Sequence, residues 1–114
     1  MCDKAVLDEI TSRVCAAAKE VLSGKLEKVI LFGSYARGDY DEESDIDIMI
    51  LSDIAPEDAD ATCDEICDIL GYLTLEYGIL VSLIMTCSSI YHRYKDYSGF
   101  YRNVQKDGVE LYAA

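Results

Sequence analysis

Gly33-Ser34-Tyr35-Ala36-Arg37-Gly38, followed after a short polar stretch by Ser44-Asp45-Ile46-Asp47-Ile48-Met49-Ile50, decides how this chain is read. The apolar run Val29-Ile30-Leu31-Phe32 leads into the glycine and reads as a buried central strand with the turn at its C-terminal end. Residues 38–44 (Gly-Asp-Tyr-Asp-Glu-Glu-Ser) are polar and form a loop by composition. Ile46, Ile48 and Ile50 then alternate with Asp45, Asp47 and Met49, which predicts a second strand with one apolar face. The other face opens with two carboxylates.

Outward from this segment the pattern is of helices around a small sheet. Ala5, Val6, Ile10, Val14, Ala17, Val21 and Leu22 recur every three or four residues, so Asp3 to about Leu22 reads as an amphipathic helix ended by Ser23-Gly24. Pro56-Glu57-Asp58 opens a second helix whose stripe (Ala59, Cys63, Ile66, Ile69, Leu70, Leu73, Tyr77) runs to Gly78. Ile79 to Thr86 reads as a third strand, and Ser88 or Ser89 as the cap of a short helix. A last helix is predicted from Gly99 to Lys106, with a small edge strand at Val109–Tyr112. The order is that of an α/β (α+β) sandwich, a small mixed sheet of three to four strands covered by helices. At 114 residues and 51% hydrophobic content, residues 1–114 are expected to form a single domain with a real core. A clamp for a base, or an acceptor, would come from a partner or from a second copy.

Strand periodicity places Asp45 and Asp47 on one face, with Cβ atoms about 6 to 7 Å apart. Two carboxylates at that spacing can converge on one or two Mg²⁺ ions, which take oxygen ligands and share them with substrate phosphates. Without a cation they repel each other, and Asp47, flanked by Ile46 and Ile48, is the costlier to leave unpaired. Gly33 lets backbone N–H groups approach a phosphate, Ser34 adds a hydroxyl donor, and Arg37 can neutralise a leaving pyrophosphate. A Gly-Ser turn or an Asp-x-Asp pair alone is commonplace in an acidic chain. Their combination across a strand, a loop and a strand points to phosphoryl or nucleotidyl transfer.

The formal charge of −12 is unevenly placed: fourteen acids and no Lys or Arg lie between Gly38 and His92. That face repels nucleic acid, so direct DNA or RNA binding is not expected; a divalent cation or a basic protein is the better complement. Solubility alone also accounts for acidic surfaces of this kind. Cys2, Cys15, Cys63, Cys67 and Cys87 form an odd set without a CxxC pair, which predicts reduced thiols and a cytoplasmic protein. Cys63 and Cys67, one helical turn apart, read as buried small side chains rather than metal ligands. Neither a signal peptide nor an apolar stretch long enough for a bilayer is seen, so no membrane association is expected. Tyr91, Tyr94, Tyr97 and Tyr101, spaced three and four apart, would form one aromatic stripe on a helix, close to the basic Arg93, Lys95 and Arg102. His92, the sole histidine, reads as a surface residue.

The string GSYARG–DYDEE–SDIDIMI resembles the GSxARG…SDxDxxV signature of the minimal nucleotidyltransferases, in the DNA polymerase beta superfamily. The acidic helix at 57–77, the strand Gly78–Ile84 and the ending Phe100–Val109 also look like the rest of such stand-alone domains. The resemblance implies a nucleotidyltransferase fold, with Gly33 and Ser34 on the triphosphate and Asp45 and Asp47 holding Mg²⁺. It also implies transfer of a nucleoside monophosphate, with ATP as the expected donor, to an acceptor hydroxyl. Stand-alone members are commonly antitoxins paired with an all-helical HEPN ribonuclease toxin, and some attach AMP to a tyrosine of that toxin.

One departure stands out. Active relatives usually carry a third carboxylate on the strand after the long helix, where Ile79–Met85 offers only Ser82 as a polar residue. A hydroxyl brings no charge to Mg²⁺ and is no general base near neutral pH. The alternative is therefore a non-catalytic nucleotide- or toxin-binding module. Glu76 could substitute but reads better as a solvated helix-end charge. Transfer to a small molecule is disfavoured by the chain's length.

Overall fold

The computed structural model describes residues 4–41 and 43–113. Cys2 and Asp3, which enter the thiol and helix readings, lie outside them. The elements are α1 (Lys4–Leu22), β1 (Leu26–Phe32), α2 (Ser34–Arg37), β2 (Ile46–Ser52), α3 (Ala59–Tyr77), β3 (Val81–Cys87), α4 (Ser88–Tyr94), α5 (Gly99–Asp107) and β4 (Val109–Ala113). Short 3-10 turns cover Ser23–Lys25 and Pro56–Asp58.

The four strands form one mixed sheet in the order β3-β2-β1-β4. β1 runs antiparallel to both β2 and β4, whereas β2 and β3 are parallel, as the intervening α3 allows. Alternation along the central strands sorts their side chains onto two covered faces. On one, Val29, Leu31, Ile46, Ile48 and Ile50 are buried against Ile10, Val14 and Ala18 of α1 and Ile66, Leu70 and Leu73 of α3. On the other, Ile30, Met49 and Leu51 pack with Tyr91 of α4 and Val104 of α5. β2 is thus buried on both faces along most of its length, unlike the half-polar strand its first residues suggest.

Three expectations change. β1 begins three residues before the apolar run: Leu26 and Lys28 pair with β2, and the Glu27 and Lys28 side chains find partners in His92 of α4 and Glu110 of β4. The tyrosine stripe is broken: Tyr91 and Tyr94 belong to α4, Tyr97 to the turn after it and Tyr101 to α5. Ser98, whose hydroxyl accepts from the Tyr101 N–H at 3.2 Å, caps the new helix. The Tyr91 and Tyr101 rings pack together, centroids 5.2 Å apart, while Tyr97 is 82% exposed. Finally, Cys63 and Cys67 lie side by side, Sγ–Sγ 3.7 Å, with Cys67 exposed rather than buried.

Candidate active site

Phe32 is the last residue of β1 and pairs in register with Asp47 of β2, which in turn pairs with Ser82 of β3. Asp47 shares the sheet face of Met49 and Leu51, and Asp45 precedes the strand with the same parity. Both carboxylates therefore sit at the end of the face that α4 and α5 cover, where helix cover runs out and both side chains stay partly exposed.

Gly33 fixes the approach to Asp47. Its φ of 75° lies in the left-handed region, and a Cβ built there would overlap the Asp47 carboxylate at Oδ2. A side chain at 33 would thus have to displace that carboxylate. The chain then turns immediately into α2, a single helical turn in which Arg37 N–H donates to Gly33 C=O (3.1 Å) and Gly38 N–H to Ser34 C=O (2.9 Å). Gly38, at φ 86°, ends it. The sequence shows this segment as a turn; the structure shows that it is helical, with Ser34 at its first position.

Electrostatics single out Asp47. Burial pushes its carboxyl above the ordinary range, the neighbouring Asp45 charge pushes it further, and the Arg37 guanidinium works the other way. Arg37 itself is exposed and donates from Nε to Asp39 Oδ2 at 3.2 Å. Two like charges are thus held together with one partly committed cation nearby.

The structure brings together Gly33, Arg37, Asp45 and Asp47, with Ser34 next in chain and Ser82 in register beside Asp47. Glu76 is elsewhere: it pairs with Arg13 of α1. Among the described residues, no three His, Cys, Asp or Glu side chains cluster as a metal site. His92 is a surface residue as read, with Glu27 as partner at 2.9 Å.

Sequence reasoning missed a cleft beside Gly33. A cavity of about 230 Å³ is lined by Phe32, Gly33 and Arg37 on one side and Phe100, Asn103, Val104 and Asp107 of α5 on the other. The signal was present as i, i+3, i+4, i+7 spacing within α5, which places those four on one helix face.

A family model described as "Nucleotidyltransferase domain" matches residues 14–109, most of the chain and all of this site. The chain belongs to the nucleotidyltransferase domain family. A Methanocaldococcus jannaschii protein named "putative protein adenylyltransferase" is 41% identical over 96 residues, spanning 84% of this chain and 88% of its own length. A crystal structure of a "putative nucleotidyltransferase" from Sulfolobus solfataricus superposes with a TM-score of 0.51 at 26% identity, covering 93% of this chain and 86% of that one. A chain from a toxin–antitoxin crystal structure with AMP-PNP superposes at 0.57, covering 91% of this nucleotidyltransferase and 73% of its own length. At 18% identity that last likeness concerns the fold.

Proposed function

We propose that this nucleotidyltransferase domain transfers AMP from ATP to a hydroxyl of a protein partner, as the antitoxin half of a pair whose other member is an all-helical HEPN-type toxin. The observation that carries the reading is the packing of Gly33 on Asp47, with Asp45 alongside. Backbone and paired carboxylates meet there with no side chain between them. The adenylyl group and the protein acceptor follow the name of the 41% identical relative, and the toxin follows the complex that shares the fold.

The donor set fits Mg²⁺: two carboxylate oxygen donors, one of them unfavourably ionised without a cation. Asp45 and Asp47 would hold it. Bound there, Mg²⁺ supplies positive charge to the triphosphate and to the leaving pyrophosphate. Gly33 lets the backbone approach the phosphates, the Ser34 hydroxyl donates to a β or γ oxygen, and Arg37 offsets charge on the departing group. The acceptor hydroxyl would approach over Ser82 on the edge strand β3, where Leu80 (51% exposed) and Ile84 (38% exposed) give an apolar flank.

A second reading rests on Ser82. With a hydroxyl in register with Asp47, the acceptor lacks a base from this chain, and the domain would bind nucleotide and toxin without turnover. The two readings separate on incubation with α-labelled ATP and Mg²⁺, with and without the protein encoded beside it. Label on the partner that is lost in Asp45→Asn/Asp47→Asn establishes transfer by this site. Toxin neutralisation that persists in the double variant without any labelling supports the binding module, and labelling that survives it removes the site assignment.

A further inference from the structure

Resting on the nucleotidyltransferase reading, we propose that the cleft between the end of β1 and the α5 face carrying Phe100, Asn103, Val104 and Asp107 is the subsite for the nucleotide base, with Phe100 as stacking platform and Asn103 as edge reader. The cleft shares Gly33 and Arg37 with the phosphate site, and Phe32, in its wall, is the register partner of Asp47. A triphosphate seated on Gly33 and Ser34 therefore has this hollow within reach of its nucleoside end. At about 230 Å³ it lies below the roughly 300–1,000 Å³ of pockets that enclose whole drug-sized ligands. That size suits one planar ring system, with ribose and phosphates outside.

Its chemistry points the same way. Phe32 and Phe100 meet edge to face, centroids 5.5 Å apart and planes at 89°, and Phe100 stays 41% exposed. An aromatic ring held by a neighbour with one side open is a stacking surface for a base. Asn103, exposed on the same face of α5, offers donor and acceptor together, the pattern that matches the N6/N7 edge of adenine. Asp107 completes the wall and is acceptor-only when ionised, which favours an exocyclic amino group.

The test is binding of ATP, GTP and inorganic tripolyphosphate, each with Mg²⁺, to the whole chain and to Phe100→Ala and Asn103→Ala, with circular dichroism as a check of fold. ATP affinity is expected to fall about 5- to 100-fold in Phe100→Ala. In Asn103→Ala the ATP-over-GTP preference narrows to within about twofold, because the edge contact that discriminates is gone. Tripolyphosphate binding stays unchanged in both. Unchanged ATP affinity in both variants, or an equal loss of tripolyphosphate affinity, overturns the base subsite. Equal binding of ATP and GTP by the unaltered chain overturns the role of Asn103. A chain that binds neither ATP nor tripolyphosphate instead overturns the reading beneath, and the subsite with it.

Discussion

The two ends of β1 treat charge in opposite ways. Near its start, Glu27 meets His92 of α4 at 2.9 Å and the Lys28 ammonium meets Glu110 of β4 at 2.6 Å, each acid matched to a donor. Past its other end, Gly33 lies against Asp47, whose carboxyl is pushed up by burial and by the second acid Asp45, with Arg37 only partly in compensation. Paired charges hold strands in place, and removing them tests stability. Like charges kept adjacent on a covered sheet are unfavourable until a cation joins them, so removing them tests function.

The sharpest way to break this contrast is Asp47→Asn. Transfer of label from ATP is expected to drop by roughly 10²–10³-fold or more, as when one fixed electrostatic group is taken from a transition state, while the fold persists because the amide fills the same volume. A parallel loss of folded signal in circular dichroism would erase the distinction between the ends. Next in size is Ser82→Asp, which places a third carboxylate in register with Asp47. A positioned base is worth about 10²–10⁴-fold, so transfer should rise about 10²-fold, at some cost to the metal-free protein from a third like charge. No gain in the labelling rate would show that the acceptor is deprotonated by a group of the partner. Gly33→Ala follows. Its strained φ and its overlap with Asp47 Oδ2 should together cost about 1–3 kcal/mol, read as a lowered denaturant midpoint, with transfer reduced as well.

The carboxylate end also predicts a pH signature. Because Asp47 is held above its ordinary value of 3.8, the folded chain keeps that proton longer than the unfolded one. Stability should therefore fall as pH rises from about that ordinary value through the folded value, and the penalty is complete above it. Urea midpoints at pH 4 and pH 7 without metal check this: the unaltered chain should lose ground to Asp47→Asn on going to pH 7. A gap that stays constant between the two pH values would mean that Asp47 carries no burial penalty.

How much of this was legible depended on the period of each signal. β2 declared itself because alternation is strict over Asp45–Ile48 and an apolar run continues it to Ile50, and Gly33-Ser34 marked a strand end unmistakably. Residues that act through partners were not legible. Glu27 and Lys28 look like loop charges until His92 and Glu110 are placed beside them. The tyrosine spacing matched a helix that does not exist, since Ser98-Gly99 restarts the chain between Tyr97 and Tyr101. Phe32 passed for part of a buried central strand and Phe100 and Asn103 for part of the last helix, because a cleft between distant segments has no period of its own. Ser82, by contrast, was recognised from the sequence as the position at issue, and the strand register puts it beside Asp47.

The smallest effect belongs to the paired end. Lys28 and Glu110 are partly exposed, at 36% and 52%, so the ion pair works largely through solvent and is worth at most about 1 kcal/mol. Glu110→Gln should lower the urea midpoint slightly, and the difference should shrink in 1 M salt, where the screening length is only about 3 Å. The hydrogen bond to Glu110 leads in raising the Lys28 ammonium above its ordinary value of 10.5. The pair's support is therefore fully present at neutral pH and fades only as pH climbs through the folded value. Transfer of label should be indifferent to the change, since β4 lies on the far side of β1 from Asp47. If Glu110→Gln instead slowed transfer as much as it loosened the fold, the two ends of β1 would be coupled through the strand, and the division between structural and functional charge would have to be redrawn along its length.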